Sequence, residues 1–293
     1  MPELPDVAVY VERLDAFLTG RVLEAVRLFG PSLVKTFDPP VGSLAGRRVL
    51  GFERLGKRIV VAFEGDVFAV LHLMVAGRLR WRGPRATAQR RRTHACFDFE
   101  HGTLVLTEAS TKKRASLHVV RGRDAVLAFH AGGLDVFAAT SAEFAARLRS
   151  ENHTLKRALT DPRLFDGIGG AYGDEILHRA RLSPVQLTSH LDDAACARLH
   201  DAARAVLLEW TERLRAQVGD GFPEEVTAFR PEMAVHGKFG RPCPDCSAPV
   251  QRIVHAERET NYCARCQTGG KLLRDRVLSR LLHDDWPATL DDL

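Results

Sequence analysis

The chain opens Met1-Pro2-Glu3-Leu4-Pro5. Once Met1 is removed, it begins with a secondary amine that has the Glu3 carboxylate beside it. A secondary amine attacks an aldehyde-level carbon and forms an iminium, the Schiff-base form of covalent catalysis. An α-amine titrates at roughly 7.7–8.0, so a useful fraction is neutral near pH 7. Taken alone, the two prolines also suit the first turn of a helix.

A second constellation lies toward the other end. Cys243-Pro-Asp-Cys246 and Cys263-Ala-Arg-Cys266 are two Cys-x-x-Cys knuckles with sixteen residues between them. That spacing matches a four-thiolate zinc site on the arms of a β-hairpin. Four thiolates leave tetrahedral Zn²⁺ no open position, so the expected ion is structural and there is one of it. Two disulfides are the alternative, but the sequence has no signal peptide and a cytosolic thiol pool keeps such cysteines reduced. Cys96 and Cys196 read as buried thiols acting as small hydrophobes.

The 293 residues are 45% hydrophobic and 27% charged, which suits a globular chain of two domains or two plus a small module. No run is apolar and long enough to span a bilayer. The formal charge is only +5, but it is concentrated. Arg78, Arg80, Arg82, Arg85, Arg90, Arg91 and Arg92 crowd one stretch, and Lys112, Lys113 and Arg114 form another. The cysteine module adds Lys238, Arg241, Arg252, Arg258, Arg265, Lys271, Arg274 and Arg276. Three such clusters favour a polyanion, nucleic acid, over three solvated faces.

These groups need elements to position them. Leu4, Val7, Val11, Leu14 and Leu18 draw one stripe on an amphipathic helix over 4–18, ended by Gly20. Short β-runs follow at 22–29, 48–52, 58–63, 67–74, 95–100, 103–107 and 117–120, a pattern that predicts a sandwich or barrel. The basic stretch 84–93 reads as a loop. From Ser141, which resembles an N-cap, helical patterns cover 141–149, 153–160, 173–181 and 192–215. A connector spans 219–231, the cysteine hairpin 235–268, and a tail 271–293 carries a short helical pattern at Leu272, Val277 and Leu281.

Other residues are candidates on weaker grounds. Gly167-Ile168-Gly169-Gly170 lies between two helical stretches, and backbone N–H groups beside a helix N-terminus suit phosphate; a flexible turn explains the same glycines. Lys57 precedes a strand, as a solvated lysine also would. Arg258 lies on the cysteine hairpin, and His72 ends an apolar strand, where a hydrogen-bonded core histidine is the simpler reading. Trp81 and Trp210 read as packing residues.

In this order the parts resemble the formamidopyrimidine-DNA glycosylase / endonuclease VIII family, over about residues 1–268. Met1-Pro-Glu-Leu-Pro-Asp-Val7 is similar to the family's opening, Gly56-Lys57-Arg58 to its catalytic-lysine strand, and Leu71–Leu79 to its His-Leu strand. Asp166–Leu177 resembles its helix-two-turns-helix, and Arg258-Glu-Thr-Asn-Tyr-Cys263 with Cys266-Gln267 resembles its zinc finger. The resemblance implies an α+β, multidomain fold. An N-terminal β-sandwich with a leading helix would cover 1–137, a helix-two-turns-helix domain 138–230, a zinc finger hairpin 231–270, and an extension 271–293.

It also implies a bifunctional DNA glycosylase and abasic-site lyase of base excision repair, acting on damaged bases, oxidised ones foremost. Pro2 would attack C1′ of the damaged nucleotide, Glu3 would serve as acid/base, Lys57 would hold a phosphate near the lesion, and Arg258 a phosphate beside the flipped nucleotide. His72, Lys156, Gly169 and Gly170 would be further DNA contacts, and Cys243, Cys246, Cys263 and Cys266 the zinc ligands. The implied partner is double-stranded DNA containing a damaged base or abasic site, with no membrane, for a cytoplasmic monomer.

Three departures stand out. Gly170 occupies the place where the family usually has a phosphate-binding asparagine. Val75 falls at the position of a void-filling methionine, with Met74 one residue off on the opposite strand face. Thr107–Ala115 replaces a segment that carries the family's void-filling arginine and phenylalanine. These departures motivate the alternative of a non-catalytic, zinc-containing protein that binds damaged DNA.

Overall fold

In the computed structural model the structure describes residues 1–87, 91–255, 258–274 and 287–292. Arg90, most of the 271–293 extension with Val277 and Leu281, and the side chain of Arg258 lie outside the described residues.

The chain divides into two compact units, 1–131 with 210–227, and 132–209 with 228–293. The first is a β-sandwich led by helix α1 (Leu4–Leu18). Its strands are β1 (Ala25–Leu28), β2 (Val49–Leu55), β3 (Arg58–Phe63), β4 (Val67–His72), β5 (Gly77–Arg82), β6 (Thr93–Phe99), β7 (Gly102–Glu108) and β8 (Ser116–Arg121). They form two antiparallel sheets, β1-β6-β7-β5 and β2-β3-β4-β8.

Strand side chains alternate between faces. Ile59 and Phe63, Val67, Ala69 and Leu71, Phe97 and Phe99, and Leu117 and Val119 all enter one core, which α1 closes with Val7, Tyr10, Leu14 and Leu18. The opposite parity of β3 and β4, Val60 and Val70, is covered by Val126 of a short helix α2 (Arg123–Leu127). Coverage on both faces explains why β4 reads as a nearly continuous apolar run.

β5 was not among the expected strands. Its period-2 signal is present, with Gly77 and Leu79 buried between Arg78, Arg80 and Arg82, but the arginines read only as part of a basic cluster. The expected run 67–74 also ends earlier. β4 stops at His72, and Leu73–Gly77 is a tight turn in which Gly77 N–H donates to the Leu73 carbonyl at 2.9 Å and Met74 has φ +53°. Met74 and Val75 therefore lie in a turn, and the opposite-face comparison between them does not apply.

The first unit also takes residues that the expected 138–230 segment would assign to the helical domain. Arg13 donates to the carbonyls of Asp220 and Gly221, and Arg78 Nε to that of Val226 at 2.5 Å. Phe222 packs against Tyr10 and Phe17.

The second unit holds α3 (Ser141–Arg149), α4 (Leu155–Thr160), α5 (Gly170–Ala180) and the first part of α6 (Asp193–Val218). A hairpin of β9 (Val250–His255) and β10 (Arg258–Cys263) follows, then a turn of helix, α7 (Ala264–Thr268). Thr140, not Ser141, caps α3: its hydroxyl accepts from Glu143 N–H while the Glu143 carboxylate accepts from Thr140 N–H, a capping box. α5 begins at Gly170, three residues before the expected start, because Gly169 is the N-cap and Gly170 the first helical residue. Almost all of α5 is buried, including Asp174, Glu175 and His178.

Candidate active site

Register places several candidates at one end of the sandwich. Gly56 and Lys57 form the two-residue turn of the β2–β3 hairpin, with Leu55 opposite Arg58. Such hairpins need positive φ, which Gly56 supplies at +64°. Arg58 pairs with His72, and His72 with Ser116, so the three residues share one rung across β3, β4 and β8. The Leu73–Gly77 turn leaves β4 at the same end, and the segment 109–115 enters β8 there.

The polypeptide terminus belongs to this end as well. Pro2 is buried and Glu3 is 3% exposed, at the N-terminus of α1, where the helix dipole favours a carboxylate. Asp6 caps the helix by accepting from Glu3 N–H at 3.0 Å. Tyr10 anchors α1 to β5 through its hydroxyl, which bonds both the carbonyl and the N–H of Leu79. The Met1 amine of the unprocessed chain has its pKa lowered, first by burial and also by Arg78 and Lys57, against the opposing pull of Glu3 and Asp6. The first residues, Lys57 and Arg78 are thus within electrostatic reach of one another.

Arg78, in the sequence only one member of a basic cluster, lies at this end too. Its guanidinium donates to the carbonyls of Gly77 at 2.7 Å, Val75 at 3.2 Å and Val226. It therefore ties the turn to the segment after α6, and its own pKa is lowered by burial. At the tip of the turn Val75 is 58% exposed.

His72 accepts the Met74 backbone N–H on Nδ1 at 2.9 Å. Burial, then Arg58 and Lys57, push its pKa down to about 4. At neutral pH it is a neutral imidazole whose remaining hydrogen is on Nε2. The basic segment beyond β7 is pinned by a buried carboxylate: Glu108 accepts from Arg114 N–H at 3.0 Å and Ala115 N–H at 3.3 Å, with His94 Nε2 3.0 Å away.

In the second unit, Lys156 does not stand alone. Its ammonium pairs with the fully buried Asp174 at 2.6 Å and also donates to the Gly170 carbonyl. The other Asp174 oxygen meets His236 Nδ1 at 2.7 Å. Glu175 accepts from the N–H groups of Ala234, Val235 and His236 at 2.8–2.9 Å. Two adjacent acids of α5 thus hold the segment that leads into the cysteine hairpin. Asn261 of β10 accepts from Gly237 N–H at 2.8 Å, and Gln267 joins Cys263 N–H to the Leu182 carbonyl. Gly169 and Gly170 open α5, and a Cβ on Gly170 would meet nothing within 4 Å.

The four cysteine sulfurs lie within 4.8 Å of one another, with Cys246–Cys263 at 3.4 Å and Cys243–Cys266 at 3.9 Å. A zinc tetrahedron with bonds of about 2.3 Å has edges of about 3.8 Å, so the thiolate set fits the ion. His178 Nε2 sits 3.3 Å from Cys243 Sγ, the kind of second contact that orients a ligand. The backbone of Arg258 starts β10 opposite His255.

Three family models match the chain in order: the formamidopyrimidine-DNA glycosylase N-terminal domain over residues 1–115, the formamidopyrimidine-DNA glycosylase H2TH domain over 135–218, and a zinc finger found in FPG and IleRS over 240–269. The formamidopyrimidine-DNA glycosylase of Thermus thermophilus is 33% identical over 280 residues, covering 92% of this chain and 100% of that one. The chain belongs to the formamidopyrimidine-DNA glycosylase family.

The family's Solibacter usitatus enzyme is 30% identical over 91% of this chain and 99% of its own length. An uncharacterized formamidopyrimidine-DNA glycosylase-like protein of Mycobacterium tuberculosis is 37% identical over 150 residues, 51% of this chain and 93% of that one. Among solved structures, Lactococcus lactis Fpg in complex with DNA containing an abasic site has a TM-score of 0.80 at 25% identity, covering 91% of this chain and 99% of that one. The formamidopyrimidine-DNA glycosylase fold and its one structural zinc are therefore those of this chain. Among the described residues no helix is long and apolar enough to cross a membrane.

Proposed function

We propose that this chain is a DNA glycosylase and abasic-site lyase of base excision repair, acting in the cytoplasm as a monomer on duplex DNA with a damaged base. The observation that carries this reading is the buried N-terminus, with Glu3 beside it and Lys57 and Arg78 within electrostatic reach. After Met1 is removed, the Pro2 nitrogen attacks C1′ of the extruded nucleotide. The C1′–N bond breaks, the base leaves with the electron pair, and a proton held by Glu3 assists its departure. Opening of the sugar gives an iminium between Pro2 and C1′. Its positive charge acidifies C2′; loss of that proton lets the C3′–O bond break, and the 3′-phosphate leaves.

Lys57, the neutral Nε2–H of His72 and the Arg258 guanidinium hold backbone phosphates, while Gly169 and Gly170 offer N–H groups at the start of α5. Lys156 serves this contact from behind, by fixing Gly170.

The test is borohydride trapping of correctly processed protein on an abasic-site oligonucleotide. A covalent adduct is expected, and Pro2→Gly or a retained Met1 should weaken it. Processed protein that binds abasic DNA but forms no adduct would instead be the non-catalytic damage-binding protein.

A further inference from the structure

The outer face of the β2-β3-β4-β8 sheet carries a polar row of which the catalytic reading uses only His72. The Arg58–His72–Ser116 rung runs across β3, β4 and β8, and all three residues share the face of Val60 and Val70. The next lateral segment is residues 34–36: Val34 bridges Leu117, Lys35 N–H donates to the Leu117 carbonyl at 2.9 Å, and Thr36 Oγ accepts from Val119 N–H at 2.7 Å. Lys35 is exposed, at the far end of the row from Lys57. Neighbouring strands are about 4.8 Å apart, so the row from Arg58 to Lys35 extends about 14 Å. A nucleic-acid strand carries one charge per about 3.4 Å of helix axis, so this length faces several consecutive phosphates.

Phe129 lies behind the row. The Arg58 guanidinium lies 6.0 Å from its ring centroid, and the His118 ring packs on it at 4.7 Å. This contact restrains Arg58. The charges that lower the two histidine pKa values are cationic, Arg58 and Lys57 on His72, Arg58 and Lys35 on His118. Burial and these cations keep both rings neutral, so neither adds to the repulsion.

We propose that Arg58, Ser116 and Lys35 form a phosphodiester-binding track that continues from Lys57 and His72 and grips the backbone of the lesion-bearing strand on one side of the damage. The proposal rests on the DNA-repair reading above and extends it to phosphates distant from the reacting sugar.

Salt-dependent binding of the processed protein to a long abasic duplex tests it. Lys35→Gln and Arg58→Gln should each weaken binding several-fold and lower the slope of log affinity against log salt by about one. Arg58→Lys should restore most of the slope, which a folding defect in Arg58→Gln would not explain. Single methylphosphonate substitutions locate the contact: at one phosphate, neutralisation should weaken the parent but not Lys35→Gln. Slopes unchanged in both Gln variants, or a methylphosphonate profile that is identical for parent and Lys35→Gln, would overturn the track. Borohydride trapping by the parent is scored separately, so failure of the lyase chemistry is distinguishable from failure of the track.

Discussion

Met74 N–H points at His72 Nδ1 across 2.9 Å, so the histidine that ends β4 is fixed by the turn it begins. The amide can only donate, so Nδ1 must be a lone-pair acceptor and the ring neutral with its hydrogen on Nε2. The same bond that orients the turn defines what His72 can offer a phosphate.

The pH dependence follows. The folded pKa is depressed to about 4, below the ordinary 6.5. The unfolded chain therefore takes the proton first, and His72 costs stability progressively as pH falls from about 6.5 to about 4, with no further loss below. NMR of labelled histidine should place its midpoint near 4 in the free protein. A midpoint at 6–7 would contradict the buried, amide-bound ring. DNA affinity of parent and His72→Gln should differ by a constant factor from pH 5.5 to 8.

Glu175 holds three backbone amides of the segment entering the zinc hairpin. Glu175→Gln replaces charge-assisted bonds and leaves an amide group among donors, at a cost of about 2 kcal/mol or more. Zinc should then leave faster under chelator challenge, and DNA affinity should fall, as is expected on zinc removal, because metal-binding energy is folding energy for this module. Parent-like zinc retention in the variant would show that α5 does not support the hairpin.

Gly170→Asn should be tolerated, since its Cβ enters open space and its φ is not positive. One added hydrogen bond to a phosphate is worth ~1 kcal/mol, about a fivefold gain in affinity for abasic DNA. An unchanged or weaker affinity, with unchanged melting, would mean that no phosphate approaches this helix start.

Gly77→Ala should act at a distance. Its Cβ would lie 2.2 Å from the Leu73 carbonyl oxygen, so the turn must open. The cost is about 1–3 kcal/mol, with loss of the Arg78 bond to Val75 and displacement of the exposed valine. Base excision should fall more than binding. Equal activity would show that turn geometry is irrelevant to extrusion of the base.

Much of this is legible in the sequence. The cysteine spacing implied a thiolate cluster, and the sulfurs converge. The Gly56-Lys57 pair sat between apolar runs and forms a hairpin tip. β5 was missed although Leu79 and Trp81 alternate correctly, because three arginines on its other face read as a basic cluster and hid the apolar alternation. The start of α5 was missed because consecutive glycines suggest a turn, whereas here they cap and begin a buried helix. Glu108, Asp174 and Glu175 had no detectable pattern: a buried acid is identified by the distant amides it meets, and those pairings span as many as 62 residues for Asp174 and His236.

The first compact unit is not one stretch of chain, since it includes Trp210–Thr227 as well as residues 1–131. A ribosome releases the sandwich strands long before the carbonyls that Arg13 and Arg78 must reach. The nascent sandwich therefore waits, incompletely covered, while almost eighty further residues are synthesised, and a nonsense mutation or ribosomal stall in that interval strands it without its last layer.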